Sequence, residues 1–200
     1  MNDTYARALA KQALDNISTF GSGFNNAILY DDINFEGISL ATGNSAPDLI
    51  TLYGQGNIVG RSFDGVNTLE QLYGGDEIKH TYAEGEDIYP HIHWMPTTNN
   101  VGNIKWNLDY ALYNSEQSQT QPIVKTISVV DSTNGVAWFP HVIHFPTIDG
   151  TGIKIGSHFR FRLYRNPSDV LDTYAYDVVL DSFGLHIPIN SDGSREIGVK

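Results

Sequence analysis

Residues 104–112 read Ile-Lys-Trp-Asn-Leu-Asp-Tyr-Ala-Leu, and every second side chain of this stretch is a large aliphatic or aromatic one. A period of two is typical of a β-strand that has one face in a core and the other toward solvent. Residues 158–165, His-Phe-Arg-Phe-Arg-Leu-Tyr-Arg, repeat the pattern with arginines on the polar face. Half-buried strands of this kind are usually antiparallel. The two stretches therefore predict an antiparallel sheet with one buried face.

Short runs rich in Val, Ile, Tyr, Phe and Thr extend the β-pattern along most of the chain. Turn signals separate them at residues 99–102, 132–135 and 149–152, each rich in Gly, Asn or Asp. We expect strands near 27–31, 35–40, 48–53, 57–63, 76–82, 88–96, 104–113, 123–131, 136–146, 157–165 and 173–189. This pattern predicts a mainly β chain, with an antiparallel jelly-roll or β-sandwich domain over residues 57–200.

The first twenty residues follow a helical period instead. Apolar side chains recur at spacings of three or four, at Ala6, Leu9, Ala13, Ile17 and Phe20. This predicts a short N-terminal α-helix, and its thin, alanine-rich face predicts packing on a partner. Tyr5 and Leu9 are the interface candidates on that helix. Residues 1–56 are accordingly predicted to form an N-terminal helix and arm that anchors the protein in an assembly.

The charge balance narrows the classes of partner. The 200 residues carry 23 Asp and Glu against 12 Lys and Arg, a formal net charge of −11, and no cysteine. An acidic chain lacks the cationic surface that nucleic acids and anionic membranes require. The absence of cysteine excludes disulfides and thiolate metal sites. No apolar run is long enough to span a bilayer, and the first residues predict no signal peptide, so we expect synthesis in the cytosol.

Residues 90–94, Pro-His-Ile-His-Trp, carry the sharpest chemical signal. Because His91 and His93 lie two apart on a predicted strand, both project from one face, as two ligands of a cupin-type metal site do. The glutamate that usually follows in such sites is absent. Residues three apart face opposite sides, so at most one of His141 and His144 can join. The metal-ligand candidates are His91, His93 and His141. The alternative is that these imidazoles form hydrogen bonds within a sheet or at a subunit interface.

A small basic patch stands out on this acidic chain. Arg160 and Arg162 share the polar face of their predicted strand, and Arg165 lies at its end. One hypothesis pairs this face with carboxylates of the same chain. The other makes Arg160 and Arg162 contacts to a partner protein.

Aromatic residues suggest a further kind of site, since exposed rings stack on sugars. The candidates are Tyr53, Tyr73, Tyr82, Tyr89 and Trp138. Motifs of catalysis are missing: the chain has no Gly-x-Ser-x-Gly turn, no phosphate-binding glycine loop and no His-Glu-x-x-His. The sequence therefore predicts a protein that is not an enzyme and has no cofactor.

Four segments resemble a known family. They are Glu-Gly-Glu-Asp-Ile-Tyr-Pro-His-Ile-His-Trp-Met-Pro at 84–96, Gly-Asn-Ile-Lys-Trp-Asn-Leu-Asp-Tyr at 102–110, Phe-Arg-Leu-Tyr-Arg-Asn-Pro at 161–167 and Gly-Ser-Arg-Glu at 193–196. In this order they resemble a family of tailed-bacteriophage virion structural proteins, whose hallmarks are an EGxDxYPHxHW strand and a GSR(Q/E) ending. The resemblance covers roughly residues 62–200 and carries no assigned reaction.

The resemblance implies a structural component of a phage particle: a head decoration, a head fibre or vertex protein, or a tail attachment protein. We expect a homo-oligomer, most simply a trimer, that contacts capsid, portal or tail components. Its location would be the virion, after synthesis in the host cytoplasm. Two alternatives stay open. One is a host-surface carbohydrate-binding module, and the other is a cupin-like metalloenzyme that uses His91 and His93.

Overall fold

The computed structural model of the chain describes residues 28–54, 58–66, 68–115 and 122–193. Within these ranges the strands are β1 (Leu29–Glu36), β2 (Ala41–Thr42), β3 (Asp48–Thr51), β4 (Val59–Phe63), β5 (Glu70–Glu77), β6 (Tyr89–Pro96), β7 (Asn103–Tyr113), β8 (Lys125–Ser132), β9 (His141–His144), β10 (His158–Arg165) and β11 (Val178–Ile189). Two short 3-10 helices, Gly37–Ser39 and Leu52–Gly54, interrupt them. No helix in this part of the chain is both long and apolar enough to cross a membrane.

The strands form two sheets. Sheet A has the order β3-β4-β11-β6-β9, with β1 also paired to β11, and sheet B has the order β2-β5-β10-β7-β8. All pairings are antiparallel. From β4 to β11 the chain changes sheet at every connection except β7 to β8, which is the order of a jelly roll. The predicted antiparallel β-sandwich is confirmed.

The core lies between the sheets and follows the period-two patterns. On β7, Ile104, Trp106 and Leu108 are fully buried. The ring of Trp106 meets that of Phe63 from β4 edge to face, with centroids 5.1 Å apart. Each such side chain stabilises the fold by roughly 1.5–3 kcal/mol through burial. Because successive side chains of a strand point to opposite faces, every second residue of each central strand lies on an outer face.

Strand β5 begins at Glu70, before the strand that the sequence predicted near 76–82. The prediction of a strand at 76–82 is therefore displaced by several residues. In the structure both glycines lie inside β5, opposite β10. A Cβ on Gly74 would approach the Phe161 ring to 2.6 Å. The glycine is needed for close packing rather than for a turn.

The predicted N-terminal helix, with Tyr5 and Leu9, lies outside the described residues. The later part of the predicted arm, from Leu29 to Thr51, forms strands of the sandwich instead of an arm. Strand β1 pairs with β11 over eight residues, β2 pairs with β5, and β3 pairs with β4. The sandwich therefore includes residues from Leu29 onward, and the boundary at residue 57 does not mark where it begins.

Arg165 is not part of a surface patch. It shares the inward parity of Phe161 and Leu163 and is fully buried. Its guanidinium donates to both carboxylate oxygens of Asp172, at 2.8 and 2.9 Å, and also to the Tyr174 and Tyr176 carbonyls. A buried charge is tolerated when it is paired and hydrogen-bonded in this way. Arg165 holds the 166–177 segment against the end of the sandwich.

Candidate functional site: the outer face of sheet A

The outer face of sheet A is organised by β6. Ile92 and Trp94 point into the core and are fully buried. The alternate residues of the strand, namely Tyr89, His91, His93 and Met95, point outward. The prediction that His91 and His93 share a face is confirmed, and their ring centroids are 5.2 Å apart. Two different clusters occupy the two ends of this face.

The histidine cluster consists of His91 on β6, His144 on β9 and His186 on β11. One ring nitrogen from each lies within 4.8 Å of the others. The pairing register explains why they meet: His91 lies directly opposite His144 on one side and opposite Gly184 on the other. The His91 and His186 rings are stacked, with centroids 4.2 Å apart.

Gly184 and Asp32 complete the surroundings of the histidine cluster. A Cβ on Gly184 would lie 2.4 Å from Cε1 and 2.6 Å from Nε2 of His91, so the imidazole occupies the space of the missing side chain. Asp32 lies opposite His186 in the β1–β11 register. Its Oδ2 is 3.9 Å from Nε2 of His91 and 3.9 Å from Nε2 of His186.

His91 is the buried member of the cluster, only 2% exposed. Burial, followed by repulsion from the His186 imidazole, lowers the pKa of His91 to about 4, against the opposing attraction of Asp32. Its Nδ1 has no hydrogen-bond partner among the described residues. The neutral imidazole, whose nitrogen carries a free lone pair, is the form that binds a metal ion.

Two tyrosines form a wall beside the histidine cluster. Tyr30 from β1 and Tyr89 from β6 make an edge-to-face pair with ring centroids 5.8 Å apart. With His144 and His186 they line an open pocket of about 220 Å³. Burial, followed by the neighbouring Tyr30, raises the pKa of Tyr89. The histidine cluster is thus reachable from solvent.

The structure does not bring the predicted metal ligand His141 into the histidine cluster. His141 lies on the opposite side of β9 from His144, where its ring stacks on Trp94 at 4.4 Å and its Nδ1 lies 3.5 Å from Asp131. His93 shares the face of His91 but is not in the group of three. The rule that only one of the two β9 histidines joins is confirmed, and the joining residue is His144.

His186 was missed by sequence reasoning. It lies within the predicted strand 173–189, two residues beyond Gly184 on the same face, and is the one polar side chain of residues 183–189. That polar outward position was a detectable signal. Its proximity to His91 depends on β11 pairing with β6, which local sequence does not specify.

The apolar cluster occupies the other end of the outer face. Leu52, Met95 and Val179 are buried there, with Ile50 and Trp138 packed against them. A Cβ on Gly60 would come within 2.7 Å of Val179 Cγ1 and 2.9 Å of Leu52 Cδ2. The missing side chain of Gly60 therefore lets Leu52, from the turn after β3, lie flat on the sheet.

Tyr53 and Trp138 form an aromatic pair at the surface of the apolar cluster. Their ring centroids are 5.6 Å apart. They are the two non-glycine residues with positive φ in the described part of the chain, at 57° and 61°. The Tyr53 hydroxyl donates to Met95 Sδ at 3.4 Å, and the Trp138 backbone N–H donates to the Pro96 carbonyl at 2.7 Å.

The other predicted aromatic candidates separate by position. Tyr82 is 1% exposed and its hydroxyl donates to the Glu86 carbonyl, so it belongs to the core. Tyr89 belongs to the wall beside the histidine cluster. Tyr73 is on sheet B, where it lines a separate open groove with Arg160. Of the five candidates, the structure brings together Tyr53 and Trp138.

The two arginine candidates differ in their surroundings. Arg162 binds within its own chain: Nη2 is 2.7 Å from Asp109, and Nη1 donates to the Gln71 side chain at 3.1 Å. Arg160 is exposed on the same face of β10. A role of Arg160 and Arg162 at an interface stays a prediction.

Neither protein-family models nor curated proteins match this chain. It is similar to several solved structures. The CBM36-1 domain of a multidomain xylanase from the hindgut metagenome of Trinervitermes trinervoides is 12% identical with a TM-score of 0.42, covering 82% of this chain and 100% of that one. The carbohydrate-binding module CBM6cm-2 from Cellvibrio mixtus lichenase 5A, in complex with cellotriose, is 9% identical with a TM-score of 0.42, covering 80% and 97%. CBM35 from Cellvibrio japonicus Abf62 is 10% identical with a TM-score of 0.42, covering 80% and 99%.

Proposed function

We propose that this chain is a non-catalytic carbohydrate-binding protein whose binding surface is the aromatic pair Tyr53 and Trp138. The observation that carries the proposal is the backbone of the pair. Both residues hold a left-handed conformation, which costs an aromatic side chain about 1–2 kcal/mol relative to ordinary backbone. Two strained backbones that bring two rings together on the surface are typical of a binding site rather than of packing.

The exposure of the pair fits this role. Tyr53 is 50% exposed, while Trp138 is half-buried on the apolar cluster. The buried part fixes each ring, and the remaining part offers an apolar surface with a hydroxyl beside it. Sugar rings present faces of C–H groups edged by hydroxyls, which match such amphipathic aromatic side chains.

The charge of the chain selects among carbohydrates. A formal net charge of −11 repels anionic ligands over a range of about 10 Å at 0.1 M salt. We therefore expect neutral oligosaccharides to bind better than sialylated or sulfated ones. Raising the salt concentration would reduce the difference in affinity between neutral and anionic oligosaccharides.

The test is a glycan array probed with the full chain, followed by calorimetric titration of the best neutral ligand. The variants are Tyr53→Gly and Trp138→Gly, because glycine keeps the positive φ while it removes the ring. We expect each variant to raise Kd by about thirtyfold, which is the loss of one aromatic anchor.

A matched control separates the pair from general surface aromaticity. Tyr176 is 44% exposed. It accepts a hydrogen bond from Arg165 through its backbone carbonyl, which Tyr176→Ala keeps. We therefore expect Tyr176→Ala to bind glycans as the wild type does. The absence of glycan binding by the full chain would overturn the proposal. So would ligand binding that both glycine variants leave unchanged.

A second candidate function is a structural component of a bacteriophage particle, located in the virion and built as a homo-oligomer. The observation that favours it is the extent of the family resemblance. Its segments between residues 84 and 167 lie on β6, β7 and β10, the central strands of both sheets. The resemblance thus follows the framework of the sandwich rather than one loop.

This second function is tested on particles of a phage that encodes the chain. Quantitative mass spectrometry would count copies against the major capsid protein. A number close to that of the capsid protein would indicate head decoration, and a far smaller number would indicate a vertex, portal or tail position. Absence of the chain from purified particles would refute the structural role. Native mass spectrometry of the purified protein tests the expected trimer.

A further inference from the structure

We propose that His91, His144 and His186 bind one divalent transition-metal ion on the outer face of sheet A, with Asp32 as a fourth ligand or as an acceptor for a metal-bound water. Their ring nitrogens already lie within 4.8 Å of one another. Imidazole nitrogens suit Zn²⁺, Cu²⁺, Ni²⁺ and Fe²⁺, whereas Ca²⁺ and Mg²⁺ require oxygen ligands. Three histidines with one open or carboxylate position are a common zinc arrangement. The site is distinct from the aromatic pair.

The distances require only a small contraction on binding. Ligand atoms of a tetrahedral zinc site lie about 3.3 Å apart, since each is about 2.0–2.1 Å from the metal. Asp32 Oδ2 is 3.9 Å from the nearest nitrogens of His91 and His186. That separation is too long for a hydrogen bond. Rotation of the exposed His144 and half-buried His186 side chains would supply the difference.

The buried imidazole has no structural role that the described residues explain. His91 is 2% exposed and its Nδ1 lacks a hydrogen bond. A buried polar group without a partner destabilises the folded state. Packing alone would favour an apolar side chain in the space above Gly184. A metal ion bound to the His91 imidazole would give this buried ring a partner that packing does not supply.

The ligands are held by a rigid frame. All four candidate groups lie inside strands, on β9, β6, β11 and β1, which are neighbours in one sheet. Ligands on strands are positioned more accurately than ligands on loops. The pocket beside Tyr30 and Tyr89 leaves the metal open to solvent on one side.

The first measurement uses tag-free full chain that has been treated with a chelator. Calorimetric titration with ZnCl₂ at pH 7.5 is expected to give about one Zn²⁺ per chain, and Co²⁺ in its place should give the visible absorption of a tetrahedral centre. Binding to the folded chain should also raise Tm. Less than about a fifth of an equivalent of tightly bound zinc would overturn the proposal.

Variants locate the site. His144→Ala and His186→Ala change solvent-accessible side chains, so the fold is expected to survive, and each should weaken Zn²⁺ binding on the order of 100-fold. Asp32→Asn should weaken it about tenfold. The matched control is His141→Ala, which removes a histidine of the same strand β9 from the opposite side of the sheet. Zinc binding that depends on His141, or that persists in both cluster variants, would refute the assignment.

Discussion

The two ends of the outer face of sheet A differ in what covers them. At the apolar end, the turn after β3 places Leu52 over Met95 and Val179, so that these two side chains are covered by the chain itself. At the histidine end, polar side chains stand beside an open pocket. A glycine makes room at both ends, Gly60 for Leu52 and Gly184 for His91. The difference teaches that the space left by a glycine serves packing where Leu52 fills it, beneath the aromatic pair, and serves metal binding where the His91 imidazole fills it.

The largest effect on stability is expected from a substitution in the apolar cluster. Leu52 is 6% exposed on Met95 and Val179, so Leu52→Ala should lower the free energy of unfolding by about 2–4 kcal/mol, measured from urea denaturation. The control is Leu49→Ala in the preceding strand, since Leu49 is 56% exposed. We expect it to stay within about 0.5 kcal/mol of the wild type. Equal losses at both positions would show that the apolar cluster is not a packed unit.

The two glycines sharpen the comparison directly. An added Cβ meets neighbours closer than 3 Å at Gly60 and at Gly184, so Gly60→Ala and Gly184→Ala should each cost about 1–3 kcal/mol. Only Gly184→Ala displaces the His91 ring, and it alone should abolish zinc binding in calorimetric titration. A Gly60→Ala variant that lost zinc binding would break the separation between the two ends.

A smaller effect is expected from the backbone of Tyr53. Because its φ is 57°, Tyr53→Gly should be more stable than Tyr53→Ala by about 1 kcal/mol. The order should reverse at Phe139, which is exposed and is not among the positive-φ residues. Chemical denaturation of the four variants measures both differences. An alanine variant as stable as the glycine variant at position 53 would remove the strain argument.

The smallest effect on stability is expected from a substitution in the histidine cluster. In chelator-treated protein, His91→Leu should change the free energy of unfolding by less than about 1 kcal/mol, because it removes a buried nitrogen that lacks a partner and keeps the volume similar. Zinc should then raise Tm of the wild type but not of the variant. A loss as large as that of Leu52→Ala would identify His91 as a packing residue.

Much of the sandwich was predictable because its strands carry their own pattern. The alternation at 104–112 and 158–165 places Trp106 and Phe161 in the core whatever lies beside them. Strand β5 was misplaced because Gly74 and Gly75 have no side chain to alternate. Their conformation depends on the Phe161 ring from β10, a contact between distant parts of the chain.

The site was only half predictable for a related reason. His91 and His93 share a face by local geometry, which a period of two guarantees. The choice between His141 and His144 depends on the register between β6 and β9, and His186 enters only through the pairing of β11 with β6. The prediction for Arg165 was wrong for a different reason. Its position in the alternation points inward, but its charge favours the surface unless a buried partner such as Asp172 lies beside it.

Strand β11 has a consequence for how the protein is made. It is a late strand in the chain, and it pairs with β1, β4 and β6 at the centre of sheet A. Leu29 meets Ile189, so the sheet joins the two ends of the described chain. Pairings this distant in sequence close slowly and late. Until residue 189 has left the ribosome, β6 lacks its central neighbour and the core is open. We therefore expect the sandwich to close only after residue 189 has emerged, with the inner face of β6 exposed to chaperones in the interval.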